Sequence, residues 1–127
     1  LEKSLESGFG DTEGVELGRQ GAQELFQRAP RPTALVAIND MYALGVYAGA
    51  RDLGLRVPDD FSIVGIDDIV LAQVVDPPLT TVRQPLDEMA ASAVDALIQR
   101  IKQKATDAPQ HRTFAPELVV RKSTAQR

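Results

Sequence analysis

Two short apolar runs, each closed by a pair of polar residues, constrain the fold of this 127-residue chain more than any other feature. They are ALVAIND at residues 34–40 and FSIVGIDD at residues 61–68. Continuous apolar runs of this length are typical of strands that are covered on both faces of a parallel sheet. We therefore predict two parallel strands whose carboxyl ends bring four polar side chains into one crevice. Open α/β sheets bind their ligands at such ends.

The rest of the chain alternates between helical and strand patterns. Apolar residues at helical spacing predict helices over residues 12–27, 41–53 and 86–101, with a short helical turn over 69–74. Short β-branched or apolar runs predict further strands at 80–82 and 117–121. The alternation predicts an α/β fold with a mostly parallel open sheet and helices on both faces.

Two local predictions concern helix ends and helix packing. Asp40 and Asp68 stand directly before predicted helices, where an aspartate is favoured as N-cap. Gly14, Gly18 and Gly21 are spaced by four and three residues, which places them on nearly one face of the first helix. Because glycine has no side chain, we expect another element to pack closely against that face.

The composition disfavours several kinds of site. The chain has no cysteine, so a metal site or catalytic triad would need its single histidine, His111, which lies in a polar loop. There is no glycine-rich phosphate loop and no nucleophile beside a base, so an enzyme is disfavoured and no cofactor or metal is expected. A net charge of -4 argues against direct binding to DNA. No apolar run reaches the length of a membrane-spanning helix.

Several linked motifs resemble those of the LacI/GalR (lactose/galactose repressor) family of bacterial transcriptional regulators. They stand here as VAINDMYALG (36–45), GLRVPDD (54–60), SIVGIDD (62–68), PPLTTVRQP (77–85) and LVVRKS (118–123). Motifs in a matching order are more specific than any one of them, and together they cover nearly the whole chain. They match the effector-binding core of the family, which is similar to a type I periplasmic binding protein.

The resemblance implies a division of the chain and a set of partners. Residues 1–82 are expected to form part of the second subdomain of the core. Residues 83–112 are expected to supply a helix and loop of the first subdomain, and 113–127 a closing strand and tail. The family's helix-turn-helix, its hinge helix and most of its first subdomain have no counterpart in this sequence. The resemblance thus implies an incomplete core, the C-terminal part of a cytoplasmic repressor that binds a small effector and forms a homodimer. DNA would be contacted only through the helix-turn-helix that is missing here.

Asp67 and Asn39 are the first candidates for ligand contacts. A carboxylate at a strand end accepts strong hydrogen bonds from sugar hydroxyls, and its alternative role, a helix cap, is already assigned to Asp68. Asn39 offers both a donor and an acceptor, while its alternative is simple strand-end polarity beside Asp40. The resemblance favours a ligand contact for both residues, and the pair fits a sugar somewhat better than a purine.

Phe9 and Gln84 are further ligand candidates. Similar regulators place an aromatic residue five positions before a glycine, here Gly14, where it can stack on a sugar or a base. Phe9 has an alternative role in packing against the first helix. Gln84 precedes Pro85 at the expected crossover between subdomains, where it either reaches the ligand or caps the next helix. Arg83 is expected to be a solvated or salt-bridged surface group.

Other residues concern assembly rather than ligand binding. By resemblance, Leu44 and Val75 lie where such regulators form their dimer interface. The helix predicted over residues 86–101 would belong to the first subdomain and would expose an apolar stripe when separated from it.

Two functions of other classes stand beside the repressor hypothesis. A periplasmic sugar-binding protein of a transporter shares the fold, so the fold alone does not separate the two. The coding sequence upstream of residue 1 would: a helix-turn-helix indicates a regulator and a secretory leader indicates a transporter component. An enzyme is the third hypothesis, and a hydrolase activity lost specifically on Asp67→Asn would support it.

Overall fold

The structure is a computed structural model that describes residues 12–103 and 111–126. Its elements in chain order are α1 (Thr12–Phe26), β1 (Ala34–Val36), α2 (Asp40–Asp52), β2 (Ser62–Ile66), α3 (Val70–Val74), β3 (Thr80–Arg83), α4 (Leu86–Gln103) and β4 (Glu117–Val119). The chain divides into two compact units. The first runs to Arg83 and resumes at Leu118, and the second is Gln84–Glu117.

The four strands form one sheet in the order β1-β2-β3-β4. Strand β1 pairs in parallel with β2, and β2 pairs in parallel with β3. Val64 is the common residue of the register, opposite Val36 on one side and Thr80 on the other. The predicted α/β fold with a mostly parallel sheet is therefore confirmed, and the carboxyl ends of β1, β2 and β3 share one edge of the sheet.

Strand β1 differs from its prediction. It is shorter than the apolar run, because it ends at Val36, and it lies at the edge of the sheet that the structure describes. Val36 is 75% exposed and Ile38 68% exposed, so the prediction of a strand covered on both sides is wrong for β1 within this chain. Strand β2 has neighbours on both sides, and its Ile63 and Gly65 are buried.

The core lies where α2 packs on β2 and α1 packs on α2. Phe26 of α1 reaches Phe61, the residue before β2, with ring centroids 4.5 Å apart and a tilted arrangement. Aromatic pairs favour such tilted packing over a face-to-face sandwich. The buried apolar residues of this core are Ala22, Phe26, Ala37, Ala43, Val46, Ala50, Phe61, Ile63, Ala72 and Leu79.

Helices α1 and α2 approach each other through glycines. A Cβ atom added at Gly18 would overlap the carbonyl of Tyr42, and one added at Gly49 would lie 2.6 Å from the carbonyl oxygen of Arg19. The prediction of close packing is confirmed for Gly18. It is wrong for Gly21, because a Cβ atom there meets no other atom within 4 Å.

The second unit contains helix α4. Its first turn carries Asp87 and Glu88 and its last turn carries Arg100 and Lys102, which is the charge arrangement that the helix dipole favours. Apolar side chains along this helix are exposed in the chain by itself, namely Leu86, Val94, Leu97, Ile98 and Ile101. What covers them stays a prediction.

Candidate ligand site at the strand ends

Asn39, not Asp40, caps helix α2. Asn39 has an extended backbone, and its side-chain oxygen accepts a hydrogen bond of 2.9 Å from the backbone N–H of Tyr42. The prediction that Asp40 is the cap is therefore wrong. The cap uses the oxygen of Asn39, so its amide NH₂ group is the part that a ligand hydroxyl can approach.

Asp40 is instead a fully buried carboxylate at the start of α2. It accepts a hydrogen bond of 2.6 Å from the Thr81 hydroxyl and one of 2.9 Å from the backbone N–H of Ile69. Gly65 makes room for it, since a Cβ atom at Gly65 would overlap the Asp40 carboxylate. A buried carboxylate is costly unless it is hydrogen-bonded, and Asp40 meets that condition through Thr81 of β3 and Ile69, which precedes α3.

Asp67 and Asp68 follow β2 with an unusual backbone. Both have positive φ angles, 114° and 57°, in the region that side chains other than glycine rarely adopt. The N–H of Asp67 donates a 2.9 Å hydrogen bond to the carbonyl of Val82, which fixes this turn against β3. Strained backbone of this kind is concentrated at functional sites, where the surrounding structure maintains it.

The Asp68 side chain joins two arginines. Nε of Arg83 donates to Oδ2 of Asp68 at 2.6 Å, and Nη2 of Arg121 donates to Oδ1. The Asp68 side chain is 4% exposed, that of Arg121 14% and that of Arg83 48%. The prediction that Asp68 caps the next helix is wrong, because α3 has Ile69 as its N-cap and no side-chain cap. The salt-bridged role considered for Arg83 is confirmed.

Opposing effects set the pKa of Asp68. Burial raises the pKa of this carboxyl, but hydrogen bonds and charges of Arg121 and Arg83 outweigh burial and hold the pKa below its ordinary value. Asp68 is therefore an ionised carboxylate at neutral pH, and its two arginines neutralise it locally.

The two strand ends follow one pattern. At each end the first polar residue, Asn39 or Asp67, is partly exposed. The second, Asp40 or Asp68, is bonded inward, and Thr81 contacts both by donating to Asp40 and accepting a 3.4 Å hydrogen bond from the Asp68 N–H. Strands β1 and β2 are adjacent and parallel, with Val36 opposite Val64, so the residues that follow them lie at the same edge of the sheet. The arrangement presents one amide and one carboxylate at a shared edge, which suits a ligand with several hydroxyl groups.

A comparison with known protein families decides the kinship. The model of the periplasmic binding protein-like domain matches residues 5–124 of this chain. The chain belongs to this family.

Relatives of the periplasmic binding protein-like domain show which branch it resembles. The HTH-type transcriptional regulator MalR of Streptomyces coelicolor is 52% identical over 112 residues, which cover 87% of the chain and 31% of that protein. A LacI family transcriptional regulator from Enterococcus faecalis V583, solved with bound ribose, is 35% identical with a TM-score of 0.80. The match covers 87% of this chain and 40% of the regulator's chain.

A second solved regulator gives the same match. The LacI family regulator from Arthrobacter sp. FB24, in complex with lactose, is 31% identical with a TM-score of 0.77. The match covers 87% of this chain and 42% of the regulator's chain. The chain spans between 31% and 42% of the length of these three relatives. It matches the C-terminal effector-binding region of LacI/GalR regulators, as its linked motifs predict.

Phe9 and Gln84 are the two further predicted ligand residues. Phe9 lies outside the described residues. Gln84 is half-buried and is the first residue of the second unit, where its carbonyl accepts a 2.9 Å hydrogen bond from the N–H of Leu86. Ligand roles for these two residues stay predictions.

The predicted interface residues Leu44 and Val75 line one groove of about 620 Å³ beside α2. Tyr47 stands in this groove, and its hydroxyl donates a 2.8 Å hydrogen bond to the carbonyl of Pro77. Burial raises the pKa of Tyr47 to about 12, and the charge of Asp76 acts in the same direction. Neither Asn39 nor Asp67 lines this groove, so it is separate from the strand-end candidates.

Sequence reasoning missed the residues that hold the site in place. The sequence places Thr81 and Arg121 only in predicted strands and family motifs, yet both contact the buried aspartates. The sequence did carry a signal for Arg121. A charged residue directly after an apolar strand is expected to form an ion pair where that segment is buried. Its partner, 53 positions away in sequence, could not be read from spacing.

The described residues offer no metal centre. Within 12–103 and 111–126, no cluster of three or more histidine, cysteine, aspartate or glutamate side chains could hold an ion. Over the same ranges, no helix is long and apolar enough to cross a membrane.

Proposed function

We propose that this chain is the effector-binding and dimerisation part of a cytoplasmic bacterial transcriptional repressor. A small ligand, a sugar, binds at the carboxyl ends of β1 and β2. Binding changes the affinity of a helix-turn-helix domain outside this sequence for DNA. Because the chain spans only part of its relatives, the activity of the whole protein is the content of this proposal.

The observation that carries the proposal is the pair of strand ends. Asn39 and Asp67 are both partly exposed and follow adjacent parallel strands, and each is followed by a carboxylate that is hydrogen-bonded within the protein. Two similar regulators are solved with ribose and with lactose, which supports a sugar for this site. Charge-assisted hydrogen bonds from sugar hydroxyls to Asp67 would supply much of the affinity. Phe9 and Gln84 complete the proposed ligand set.

The relatives also favour a regulator over a transporter component. MalR is a transcriptional regulator, and both solved neighbours are LacI family transcriptional regulators. The same comparison favours a binding role over an enzyme. The mechanism we propose is a population shift, in which the sugar binds two conformations unequally and so changes their ratio. In this scheme the first unit is part of one subdomain, and α4 with its loop belongs to the other.

The experiment uses the full-length protein encoded with this chain and DNA from its own promoter region. Calorimetry against a panel of sugars, including D-ribose and lactose, is followed by measurement of DNA affinity with and without any sugar that binds. The proposal expects one sugar to bind and to change the DNA affinity. Binding to no member of a broad panel of sugars and nucleobases would contradict it.

Dimerisation is proposed through the groove that contains Leu44 and Val75. Val75, which lines the groove, directly follows α3, whose Val70 and Val74 are largely exposed. Introducing arginine at Leu44 or Val75 is expected to shift the full-length protein towards monomer in sedimentation velocity, because a buried unpaired charge is costly. Leu17→Arg, at an exposed position of α1, is the control that should leave the dimer intact.

A further inference from the structure

We infer that Asp68 is a positioning residue that holds Asp67 in its ligand-contacting conformation. Asp68 also bonds the two segments by which the chain leaves and re-enters the first unit. This inference deepens the proposed function and rests on it. Asp68 itself faces inward and would not touch the ligand.

The backbone at Asp67 needs an external constraint. Its φ angle of 114° is rarely adopted by a side chain other than glycine, and such a conformation persists only where neighbouring structure enforces it. One constraint is the hydrogen bond from the Asp67 N–H to the Val82 carbonyl, and a second comes from the next residue. The Asp68 carboxylate is bonded by Arg83 and Arg121, and its N–H contacts the Thr81 hydroxyl at 3.4 Å. Fixing Asp68 at both side chain and backbone leaves Asp67 little freedom.

The two arginines lie near the points where the chain leaves the first unit and re-enters it. Arg83 is the last residue of the first unit before the chain leaves it, and the chain re-enters at Leu118, three positions before Arg121. Arg121 is held further by a 2.8 Å hydrogen bond from Nη1 to the Leu79 carbonyl and one of 2.9 Å from its N–H to the Thr80 hydroxyl. One carboxylate therefore bonds the segment that leaves the first unit and the segment that returns to it.

The same network reaches the other strand end. The Thr81 hydroxyl that accepts from Asp68 donates to Asp40 at 2.6 Å, and Asp40 follows Asn39 directly. Among the described residues, each buried side-chain polar atom has a partner, so the network is complete without a ligand. Satisfied networks of this kind are rigid, and this one places Asn39 and Asp67 before the ligand arrives.

The test compares Asp68→Asn with Asp52→Asn in the full-length protein. Asparagine keeps the shape of Asp68 and tolerates a positive φ, but it loses the charge that two arginines share. Asp52 is the control, because it also accepts from an arginine, Arg19 at 2.6 Å, but it is the last residue of α2, at the opposite end of that helix from Asn39.

Two readouts decide the outcome. Hydrogen exchange followed by mass spectrometry should show that the amide of Asp67 gains about tenfold more in exchange rate in Asp68→Asn than the amides of α1 and α2, which report the loss of global stability. Calorimetry with D-ribose, lactose or the sugar that the wild type binds should show affinity about tenfold lower. Asp52→Asn should change neither quantity.

Other outcomes overturn the inference. Unchanged exchange at Asp67 shows that Asp68 does not constrain it. Exchange that accelerates no more at Asp67 than in α1 and α2 shows only a structural role, and selectively faster exchange with unchanged sugar affinity shows that the placement of Asp67 does not matter. If Asp68→Asn does not fold, Arg83→Gln is read by the same criteria, since it keeps the Asp68–Arg121 pair. If the wild type binds no sugar, the proposed function fails, while exchange still decides the positioning role.

Discussion

Asp68 is a carboxylate held almost wholly out of water between two arginines. Its pKa lies below the ordinary value, so its contribution to stability is complete above the unfolded-state pKa of about 4 and is lost as pH falls through the folded-state pKa. We expect the free energy of unfolding of the wild type to decrease as the pH is lowered below about 4. In Asp68→Asn this part of the pH dependence should be missing.

Urea unfolding at a series of pH values measures this difference directly. At neutral pH, Asp68→Asn should be destabilised towards the lower end of the roughly 3–5 kcal/mol that breaking a buried ion pair costs, because Arg83 is half exposed. The gap between variant and wild type should narrow as the pH falls. A gap that is constant from neutral to acid pH would show that the Asp68 charge does not stabilise the fold.

Tyr47 gives a second prediction at the scale of one residue. Burial raises its pKa to about 12, so the stability that comes from keeping this phenol neutral is present below its unfolded-state pKa of about 10 and is lost as pH rises towards 12. Ultraviolet titration should show no ionisation of Tyr47 near pH 10. The signal is obtained as the difference between wild type and Tyr47→Phe, and a step in that difference near pH 10 would contradict the burial of the Tyr47 phenol.

Individual polar residues mark the limit of what the sequence predicts. The chemistry of the strand ends was readable, because two apolar runs stop at polar pairs. The separate roles of Asn39 and Asp40 could not be predicted, because both residue types are favoured as N-caps and the two stand one position apart. Thr81, which is 41 residues from Asp40, decides which of them turns inward. Likewise, Asp68 satisfies the local signal for a cap while its actual partners are distant in sequence.

The contact between helices α1 and α2 is tested by paired glycine substitutions. A Cβ atom at Gly45 would overlap the carbonyl of Val15, whereas one at Gly21 meets nothing within 4 Å. Gly45→Ala should therefore destabilise the protein by about 1–3 kcal/mol through overpacking. Gly21→Ala should be neutral or stabilising by up to about 1 kcal/mol, because alanine favours the helix.

Chemical denaturation of the two variants under one set of conditions gives the comparison. Equal effects of Gly45→Ala and Gly21→Ala would contradict the backbone contact between the helices. The sequence predicted that glycines would face a neighbour, but helical spacing could not identify the neighbour. The close approach depends on Gly45 and Gly49 of α2 as much as on Gly18 of α1.

Strands show the same dependence on context. The apolar runs predicted β1 and β2 correctly in position, and β2 has the two-sided pairing expected of a buried strand. Strand β1 carries an equally apolar run but has an exposed Val36 and Ile38. An apolar run indicates that a strand favours burial. Whether residues of this chain bury it depends on the neighbouring segments.

At the scale of the whole molecule, the fold class followed from the order of the elements and the family from its linked motifs. Both are confirmed by the parallel sheet and by the match over residues 5–124. The proposed function places the ligand at the edge of the sheet where β1 and β2 both end. Under that proposal the affinity depends on how Asn39 and Asp67 meet sugar hydroxyls, and Asp67 is the charged member of the pair.

Calorimetric titration of the full-length protein and its Asp67→Asn variant tests the central claim most directly. The titrant is the sugar that the wild type binds, starting with D-ribose and lactose, and Asp52→Asn is the control. We expect Asp67→Asn to fold normally and to bind the sugar at least about tenfold more weakly, since it loses a charged acceptor. Wild-type affinity in Asp67→Asn would contradict the assignment of the ligand site to the strand ends.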